Sequence, residues 1–565
     1  MFDLIIRNGM IVDGTGLPAY RGDVGVAGGR LVSVGRSLEH ATAGRSIDAT
    51  GKVVSPGFID PHTHYDAQMC FDPYLFPAIE HGVTSVVTGN CSLSLAPVRA
   101  TQREDFSAMF RLIEEMPKAA FDSGVDWRWG ESFGGMVEAV GKDIAANVAP
   151  LVGHSVLRMF VLGDNARRAA TTDELARMCD LLRECLDAGA VGLSTSFIDI
   201  DPSMHPVPSR WAPHAELKAL CAVLGEKGRM LQVVHEFFDA GLTVSRIEMM
   251  ADLSRRYSIP TTLSPLFHNN TMPHAVTQVL EAVERAWASG ARVWPQVQTR
   301  PIDISWTLAE RSLMFLVIPG WWPVLSLNTH AEKMEAFTDP LTRGSLVAGL
   351  NLLADMPSSS FTLSPSSYVV RRVGADRNRD LVGRTLGDIA AERGTSPSEL
   401  LIDLSVEDDL QTWFMRADIG HDNAEAVGAM LAHPLVHVGA SDGGAHVGSF
   451  ATFGDTGHLF SQYVRKTHSL RLEDAVKKIT LDTATIWGLD DRGVLKEGKA
   501  ADICVFDADT IDRGPEIASD DFPGDAIRWI RRQVGVHSVI VNGVETWSET
   551  DGYIAGARGG QMITR

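Results

Sequence analysis

The fold of this chain is decided by an apolar run that ends in two histidines, Lys52-Val53-Val54-Ser55-Pro56-Gly57-Phe58-Ile59-Asp60-Pro61-His62-Thr63-His64. The run predicts a buried strand. Residues two apart in an extended segment point to the same side, so the imidazoles of His62 and His64 can reach one metal ion. A lone His-x-His pair is also typical of a polar loop at a strand end. The rest of the chain therefore has to decide between the two interpretations.

Short apolar runs, each followed by polar residues, recur along the chain with helical stretches between them. The eight runs are Val53–Ile59, Thr84–Thr88, Val148–Val152, Ala190–Leu193, Leu231–Val234, Thr261–Leu266, Val293–Val297 and Val436–Ala440. Residues 172–189 typify the stretches between them, with a capping Thr171 or Thr172 and leucines at helical spacing. Strand and helix that alternate eight times predict an α/β fold, a closed (β/α)8 TIM-like barrel whose chemistry lies at the carboxyl ends of its strands. The polar residues expected there are His62, His64, Cys91, His235, His268 and Asp442.

Both ends of the chain alternate apolar and polar positions, with turns such as Asn8-Gly9 and Asn542-Gly543. We expect residues 1–50 and 485–565 to pair as one small β-sandwich. Residues 51–484 then form the barrel, with a long insertion around 300–435. A chain of 565 residues suits a large barrel with such additions.

Composition excludes several classes of partner. The formal net charge of −20 speaks against nucleic acid and anionic membrane surfaces, which need clustered Lys and Arg. The longest apolar stretch, Ser312–Leu327, contains Pro319 and is too short to span a bilayer, and no signal peptide precedes Asp3. The six cysteines show no framework spacing, which favours a reduced compartment. We expect a cytoplasmic, soluble homo-oligomer that acts on a small molecule.

Several segments resemble one enzyme family. They are Asp3–Gly9, Pro56–Asp66, Gly82–Val87 with Gly89–Cys91, Ala440–Gly443 and Arg492–Asp502. Through them nearly the whole chain resembles the amidohydrolase superfamily, and in particular its N-acyl-D-amino-acid deacylase (D-aminoacylase) branch. The resemblance implies a zinc-dependent hydrolase of linear amides, which acts on carbon–nitrogen bonds other than peptide bonds.

The resemblance also bears on each candidate ligand. Cys91 alone would be typical of a buried apolar filler, but the family uses a cysteine at the end of the second strand. His235 ends the fifth strand, where the alternative is a ring hydrogen-bonded to a neighbouring loop. At the sixth strand the family usually has His-His-Lys, whereas this chain has His268 followed by asparagine, so His274 is an alternative ligand.

The number of ions is left open by the ligand count. The fourth strand has no lysine, so the carboxylated-lysine bridge of many binuclear amidohydrolases is not available there. A thiolate can take over that duty. Cys91 with His235 and His268 would form one soft site suited to Zn²⁺, while three further ligands, His62, His64 and Asp442, form a second.

The expected reaction follows from the chemistry of such a site. Zinc can lower the pKa of bound water to ~7, so zinc-bound hydroxide would attack the amide carbonyl of an N-acyl amino acid or a related apolar N-acyl or aryl amide. Asp442 would accept the proton of the water and donate it to the departing amine. The alternative for Asp442 is an acid that caps the Gly443-Gly444 turn.

Two other functions are compatible with the same residues. One is hydrolysis of a cyclic amide, a carbamate or an ester at the same metal site, which the missing bridge lysine makes less favourable for cyclic amides. The other is a non-catalytic binding scaffold, against which the intact ligand set argues.

The residues that would bind the substrate differ from the family's usual pattern. D-aminoacylases usually follow the catalytic aspartate with His-Pro-Arg, whose arginine is thought to bind the substrate carboxylate. Here His446-Val447-Gly448 lacks that arginine, and Arg300 is the possible substitute. The insertion carries Trp306, Phe315, Trp321 and Trp322, which form either a lid with an apolar channel or the core of the insertion itself. With His446 and Arg300 they are the predicted substrate-binding residues. They predict a preference for large apolar acyl or aryl groups and leave the choice between D and L open.

Overall fold

The computed structural model describes residues 1–564 except Phe238, Thr271, Val317, residues 355–363 and Asp525. Val317 and residues 355–363 belong to the predicted insertion, so that part of the prediction lies outside the described residues.

Eight parallel strands form the central sheet and follow one another in chain order around it. They are β1 (Phe58–Asp60), β2 (Val83–Thr88), β3 (Asn147–Gly153), β4 (Gly192–Ser196), β5 (Met230–Val234), β6 (Thr261–Ser264), β7 (Val293–Val297) and β8 (His437–Val438). The chain just after β1 meets the chain just after β8 in a parallel bridge between Thr63 and Gly443. The sheet is therefore joined into a barrel at its carboxyl end, and the predicted barrel is confirmed.

The first predicted strand is divided between two sheets. Val53–Pro56 pairs with the sheet of the termini, and only Phe58–Asp60 enters the barrel. Gly57 stands at the division, where a Cβ atom would lie 2.2 Å from Thr84 Cγ2. Apolarity runs unbroken through both strands, so the pattern alone could not show where one sheet ends and the other begins.

Helices connect the barrel strands and bury their apolar sides against them. They are Arg103–Ile113, Lys118–Gly124, Phe133–Gly141, His154–Leu162, Thr172–Asp187, His214–Lys227, Ala240–Tyr257, Ala275–Ala288, Ala424–Ala432, Asp455–His458, Leu459–Lys466 (a π-helix), Leu472–Lys478 and Leu481–Trp487. The helix Thr172–Asp187 begins with a capping box formed by Thr171 and Glu174, as its sequence predicts.

The two ends of the chain meet in a single nine-stranded sheet. Its strands are Phe2–Ile11, Tyr20–Ala27, Arg30–Val34, Ala43–Asp48, Val53–Pro56, Ile503–Phe506, Val536–Val541, Val544–Ser548 and Gly552–Tyr553. Antiparallel pairing of Val53–Pro56 with Ile503–Phe506 joins the N-terminal strands to the C-terminal ones. Side chains from both ends share one apolar core, which includes Leu4, Val24 and Ile503.

The insertion forms a small unit with its own core. Strands Ile302–Thr307, Val369–Arg372 and Trp413–Gly420 make a three-stranded antiparallel sheet. Helices Trp321–Leu325, His330–Thr338, Pro340–Ala354, Leu386–Arg393 and Pro397–Glu407 pack on it. We call residues 302–420 the small domain.

A hairpin of Asp512–Phe522 and Ala526–Val534 leaves the C-terminal part of the chain and pairs only with itself. Trp529 of this hairpin donates its backbone N–H to Val447 after β8, and its ring lies 5.5 Å from that of Trp413 in the small domain. The hairpin therefore joins the mouth of the barrel to the small domain. The sequence predicts strands here but not this position.

Candidate metal centre

Donor atoms from three strand ends converge at the mouth of the barrel. Cys91 Sγ lies 3.6 Å from Nε2 of His62 and 3.6 Å from Nε2 of His64. Asp442 Oδ1 lies 3.3 Å from Nε2 of His62 and 3.8 Å from Nε2 of His64. The loops after β1, β2 and β8 thus deliver two imidazoles, a thiol and a carboxylate to one point.

These spacings fit zinc. A tetrahedral ion with ordinary Zn–N, Zn–O and Zn–S bonds holds its nitrogen and oxygen donors ~3.4 Å apart and its nitrogen and sulfur donors ~3.6 Å apart. The described His–Asp and His–Cys distances fall at or near these values. One thiol proton cannot serve both imidazoles at once, so hydrogen bonding alone does not account for the convergence. The donor set is one that Zn²⁺ prefers.

The two imidazoles each contact a polar side chain on the side that faces away from Cys91. His62 Nδ1 lies 3.1 Å from the amide oxygen Oε1 of Gln296, and His64 Nδ1 lies 3.1 Å from the carboxylate of Glu114. The Gln296 oxygen places the ring proton of His62 on Nδ1 and leaves its Nε2 with a lone pair that faces Cys91, while the Glu114 carboxylate lies on the Nδ1 side of His64. Burial lowers the pKa of His62 to about 4, so this ring is neutral at pH 7, as a metal ligand must be.

Glu114 has a different effect on the second imidazole. Burial works to lower the pKa of His64, but the charge of Glu114 and the Cys91 sulfur raise that pKa well above its ordinary value. Burial likewise works to raise the pKa of Asp442, but its hydrogen bond with His64 and the neighbouring His62 hold that pKa well below its ordinary range. Asp442 is therefore an ionised carboxylate beside the two rings.

The backbone at these positions is strained. Cys91, Ala440, Asp442 and His446 all have φ between 52° and 56°, a left-handed conformation that non-glycine residues rarely adopt. Each such residue costs roughly 1–3 kcal/mol and persists only where the surrounding structure imposes it. Such strain concentrates at functional sites, and here it aims the Cys91 and Asp442 side chains at the histidines.

The histidines after β5 and β6 lie apart from this cluster. Among the described residues, only His62, His64 and Cys91 form a metal-competent group in which all ligand atoms lie within 4.8 Å of one another. His235 is buried, its Nδ1 lies 3.3 Å from Thr243 Oγ1, and its Nε2 has no hydrogen-bond partner among the described residues. The structure thus places Cys91 next to His62 and His64, whereas the sequence analysis grouped it with His235 and His268. The division of the ligands into two sites stays a prediction.

At the sixth strand the structure favours one of the two alternatives. His268 is buried and its Nδ1 lies 3.1 Å from Asp422, which follows the small domain in the chain, whereas His274 is exposed at the start of the helix Ala275–Ala288. Asp422 orients the His268 ring in the same way that Glu114 orients His64. His235 and His268 therefore remain the candidates for a second ion.

Two predicted substrate-binding residues have partners of their own. Arg300 is buried, pairs with Asp455 at 2.7 Å and donates to the backbone oxygen of Ser441. It thereby holds the strand end that carries Asp442, and its role as a substrate partner stays a prediction. His446 Nδ1 lies 3.0 Å from the Glu115 carboxylate, and its ring stacks on Phe450.

A cavity of about 970 Å³ is lined by residues of the barrel, the small domain and the hairpin. Glu115 and Ser449 lie on its barrel side, Trp306 and Trp322 on its small-domain side, and Ile527 of the hairpin closes a third side. Glu115, which lines the cavity, contacts His446, and its neighbour Glu114 contacts the predicted ligand His64. Two adjacent residues, Glu114 and Glu115, therefore link the candidate centre to the lining of the cavity.

The four aromatic residues of the insertion do not share one role. Phe315 and Trp321 stack on each other at 4.5 Å in the core of the small domain and do not line the cavity, since both are fully buried there. Trp306 and Trp322 do line it. Phe315 and Trp321 thus belong to the core of the insertion, Trp322 faces the cavity, and Trp306 belongs to both the core and the cavity lining. A role of Trp306 and Trp322 in substrate binding stays a prediction.

Three important neighbours were missed in the sequence. Gln296 lies inside the apolar run of β7, where a buried amide is a visible signal. Glu114 and Glu115 follow the helix Arg103–Ile113 and carry no motif that distinguishes them from surface acids. Their function depends on contacts with residues 50 and 331 positions away, which no local pattern contains.

A parallel barrel that gathers imidazole, thiol and carboxylate donors at the carboxyl ends of its strands defines a metal-binding barrel with an enzyme-like mouth. The model of the family named Amidohydrolase family matches residues 45–305 and 369–546, and the chain belongs to that family. The predicted resemblance is therefore confirmed.

The relatives agree with this assignment. The chain is 30% identical to N-acyl-D-glutamate deacylase of Alcaligenes xylosoxydans xylosoxydans, over 96% of this chain and 93% of that one. It is 28% identical to a D-aminoacylase of known structure with a binuclear metal centre, which superposes with a TM-score of 0.67 over the full length of both chains. N-acyl-D-glutamate deacylase of Bordetella bronchiseptica, solved with zinc and a phosphonate mimic of the tetrahedral intermediate, is 26% identical over the full length of both chains, with a TM-score of 0.68.

Proposed function

We propose that the protein is a zinc-dependent deacylase that hydrolyses the linear amide of an N-acyl amino acid or a related apolar N-acyl amide. The convergence of His62, His64, Cys91 and Asp442 at zinc-like spacings carries this proposal. The relatives named above, which share the fold over their full length, support the same reaction.

His62, His64, Cys91 and Asp442 would hold one ion, and His235 and His268 would contribute to a second with Cys91 shared between them. When bound, Zn²⁺ supplies a more acidic water and polarises the carbonyl of the substrate. Gln296 would keep His62 in the tautomer that binds, and the Glu114 carboxylate would stabilise a proton on Nδ1 of His64 and so free its Nε2 for the ion. Cys91, as a thiolate shared between the two ions, would take the place of the bridge that a lysine on β4 would otherwise provide.

Asp442 does the proton transfers. Its carboxylate faces the point at which the donors converge, and the Ser441–Gly443 turn that carries it is fixed by Arg300 and by Asp60, which accepts from Ser441 Oγ. It accepts a proton from the attacking water and donates that proton to the amine as the C–N bond breaks. The atoms balance: the acyl carbon gains the oxygen of the water, and the amine leaves with the proton.

The cavity selects the substrate. Met116, Trp322, Leu327 and Leu410 give it apolar surface, and its volume exceeds what an acetyl group needs. Burial of a large apolar group there can contribute ~1.5–3 kcal/mol, so a long or aromatic acyl group should be preferred over acetyl.

A substrate panel tests the proposal. Zinc-loaded protein is assayed against N-acyl-D- and N-acyl-L-amino acids, neutral amides, cyclic amides, carbamates and esters, with kcat/KM as the readout and chelator-treated protein as the control. Highest kcat/KM on linear N-acyl amides supports the proposal. Highest kcat/KM on a cyclic amide, carbamate or ester, or turnover that chelation does not reduce, contradicts it.

Two further properties belong to the proposal. Cytoplasmic location is supported by the six cysteines, all of which are free in the structure. No helix among the described residues has the length and apolarity needed to cross a membrane. A homo-oligomer is expected, and light scattering of the purified protein measures it.

A further inference from the structure

One buried cation of the cavity lining has no counter-ion among the described residues. Lys333 lies on the helix His330–Thr338, is only 6% exposed, and lines the cavity. Its Nζ donates to the backbone oxygen of Ala309 at 2.5 Å, and no carboxylate of the described residues lies within 4 Å of it. An ammonium group has three donors, so two of them have no acceptor from the protein within the described part of the chain.

The surroundings make this arrangement costly in the absence of a ligand. An ammonium group that leaves water loses solvation free energy, and a single acceptor such as the Ala309 oxygen restores only part of it. Burial accordingly lowers the pKa of Lys333, with the charge of Glu310 opposing this effect. Trp306 and Trp322 line the same cavity, so an anion bound at Lys333 would be held in a partly apolar environment.

The other cations of the cavity differ from Lys333. Lys118 is largely exposed and pairs with Asp122, and Arg111 contacts Glu104 and Ser107. Arg311 also lines the cavity and its positive charge contributes to the lowered pKa of Lys333, but Arg311 is exposed to solvent. Lys333 is thus the buried lysine of the cavity lining whose charge is left for a ligand.

We propose that Lys333 binds a carboxylate of the substrate and thereby replaces the arginine that is absent after His446. This inference rests on the proposed function and specifies its substrate class, namely an amide that carries a carboxylate. The carboxylate belongs either to the amino acid or to the far end of the acyl group. Lys333 is a specificity residue, because it contacts neither the metal ligands nor Asp442.

The test compares three substrates in four proteins. The substrates are N-octanoyl-phenylalanine, its carboxamide, and an N-acyl phenylalanine carboxamide whose acyl chain ends in a carboxylate. The proteins are wild type, Lys333→Met, Lys333→Arg and Lys142→Met, the last of which removes an exposed lysine outside the cavity. Loss of a charge-assisted hydrogen bond should lower kcat/KM by ~10- to 100-fold for Lys333→Met on a carboxylate substrate.

The change in kcat/KM across the three substrates decides whether Lys333 binds a carboxylate. We expect Lys333→Met to lower kcat/KM for one of the two carboxylate substrates and to leave kcat/KM for the plain carboxamide within twofold of wild type. Lys333→Arg should restore most of the lost kcat/KM, and Lys142→Met should leave kcat/KM unchanged. Which carboxylate substrate responds identifies the source of the carboxylate. An equal loss on all three substrates, or no loss on any, overturns the inference.

A binding measurement separates this inference from the proposed function. N-octanoyl-phenylalanine and its carboxamide are titrated calorimetrically into Asp442→Asn protein with and without Lys333→Met. Weaker binding of the carboxylate compound alone supports Lys333 even if the wild type hydrolyses none of the amides, in which case only the proposed function fails. Should Lys333→Met not fold, Lys333→Gln keeps the volume and the polarity and is measured in its place.

Discussion

The metal centre and the wall of the cavity beside it are built in different ways. The donors of the centre come from loops that directly follow β1, β2 and β8, and the side chains of His62 and His64 are almost fully buried. The wall comes from the small domain, the segment that contains Met116, and the hairpin of Asp512–Phe522 with Ala526–Val534. The chemistry thus depends on the framework of the barrel, and the substrate on three additions to it.

The difference extends to how each region is held. In the centre, Glu114 and Gln296 fix the rings of His64 and His62 from behind, and strained backbone aims Cys91 and Asp442. In the wall, Lys333 and Trp322 contact the cavity from the small domain. We therefore expect substitutions in the centre to reduce kcat for every substrate, and substitutions in the wall to change which substrate is preferred.

Cys91→Ala should give the largest effect. Both proposed ions share the Cys91 sulfur, so its removal should abolish binding of both. The kcat/KM should then fall at least ~1000-fold on all substrates, because the acidic water depends on the metal. Zinc per chain, measured by mass spectrometry after dialysis, checks this, with Cys179→Ala on the helix Thr172–Asp187 as the matched control. Loss of one ion only would contradict the shared role of Cys91, and a loss of activity limited to some substrates would contradict the division of roles between centre and wall.

Asp442→Asn should come next. The amide cannot accept the proton of the water, so kcat should fall ~100-fold while the fold and most of the zinc are retained. Asp376→Asn, an exposed acid of the small domain, is the control. Steady-state kinetics decide the result: a change confined to KM would mean that Asp442 only positions the substrate.

The sequence contained most of the centre but little of its support. His62, Cys91 and Asp442 could be brought to one point because each follows an apolar run, and the carboxyl ends of parallel strands meet at one end of a barrel. The role of His235 as a ligand stays a prediction. The split at Gly57 could not be predicted, because both strands it separates are equally apolar. Sequence patterns report burial and period, and both strands satisfy the same pattern.

The wall was less accessible for a physical reason. Phe315, Trp321 and Trp322 have the same character in sequence, yet two of them fill the core of the small domain and one lines the cavity. Lys333 looks like an ordinary surface lysine of a helix until the turn at Ala309 packs over it. Such roles are set by contacts between elements and not by the elements themselves.

Glu114→Gln sharpens the comparison within the centre. A neutral amide polarises the His64 ring less than a carboxylate does, so zinc affinity should fall ~10- to 100-fold, and kcat should recover when zinc is saturating. Glu115→Gln is the matched control, since Glu115 contacts His446 and not a proposed histidine ligand. Competition with a chromogenic chelator measures the affinity. Equal effects of the two substitutions would show that Glu114 acts only through general charge.

Trp322→Ala and Trp321→Ala, adjacent residues of one short helix, test the wall with the smallest expected effect on activity. Trp322 is half-buried and lines the cavity, so its removal should lower kcat/KM about tenfold for long or aromatic acyl groups and little for acetyl, because the lost apolar contact is worth ~1.5–3 kcal/mol at most. Trp321 is fully buried against Phe315 and Phe337, so its removal should instead lower the free energy of unfolding by ~3–5 kcal/mol.

Urea unfolding and kcat/KM for octanoyl and acetyl substrates are measured on both variants. If Trp322→Ala lowered activity equally on both substrates, the wall would serve the chemistry as well as the substrate, and the division between the two regions would fail.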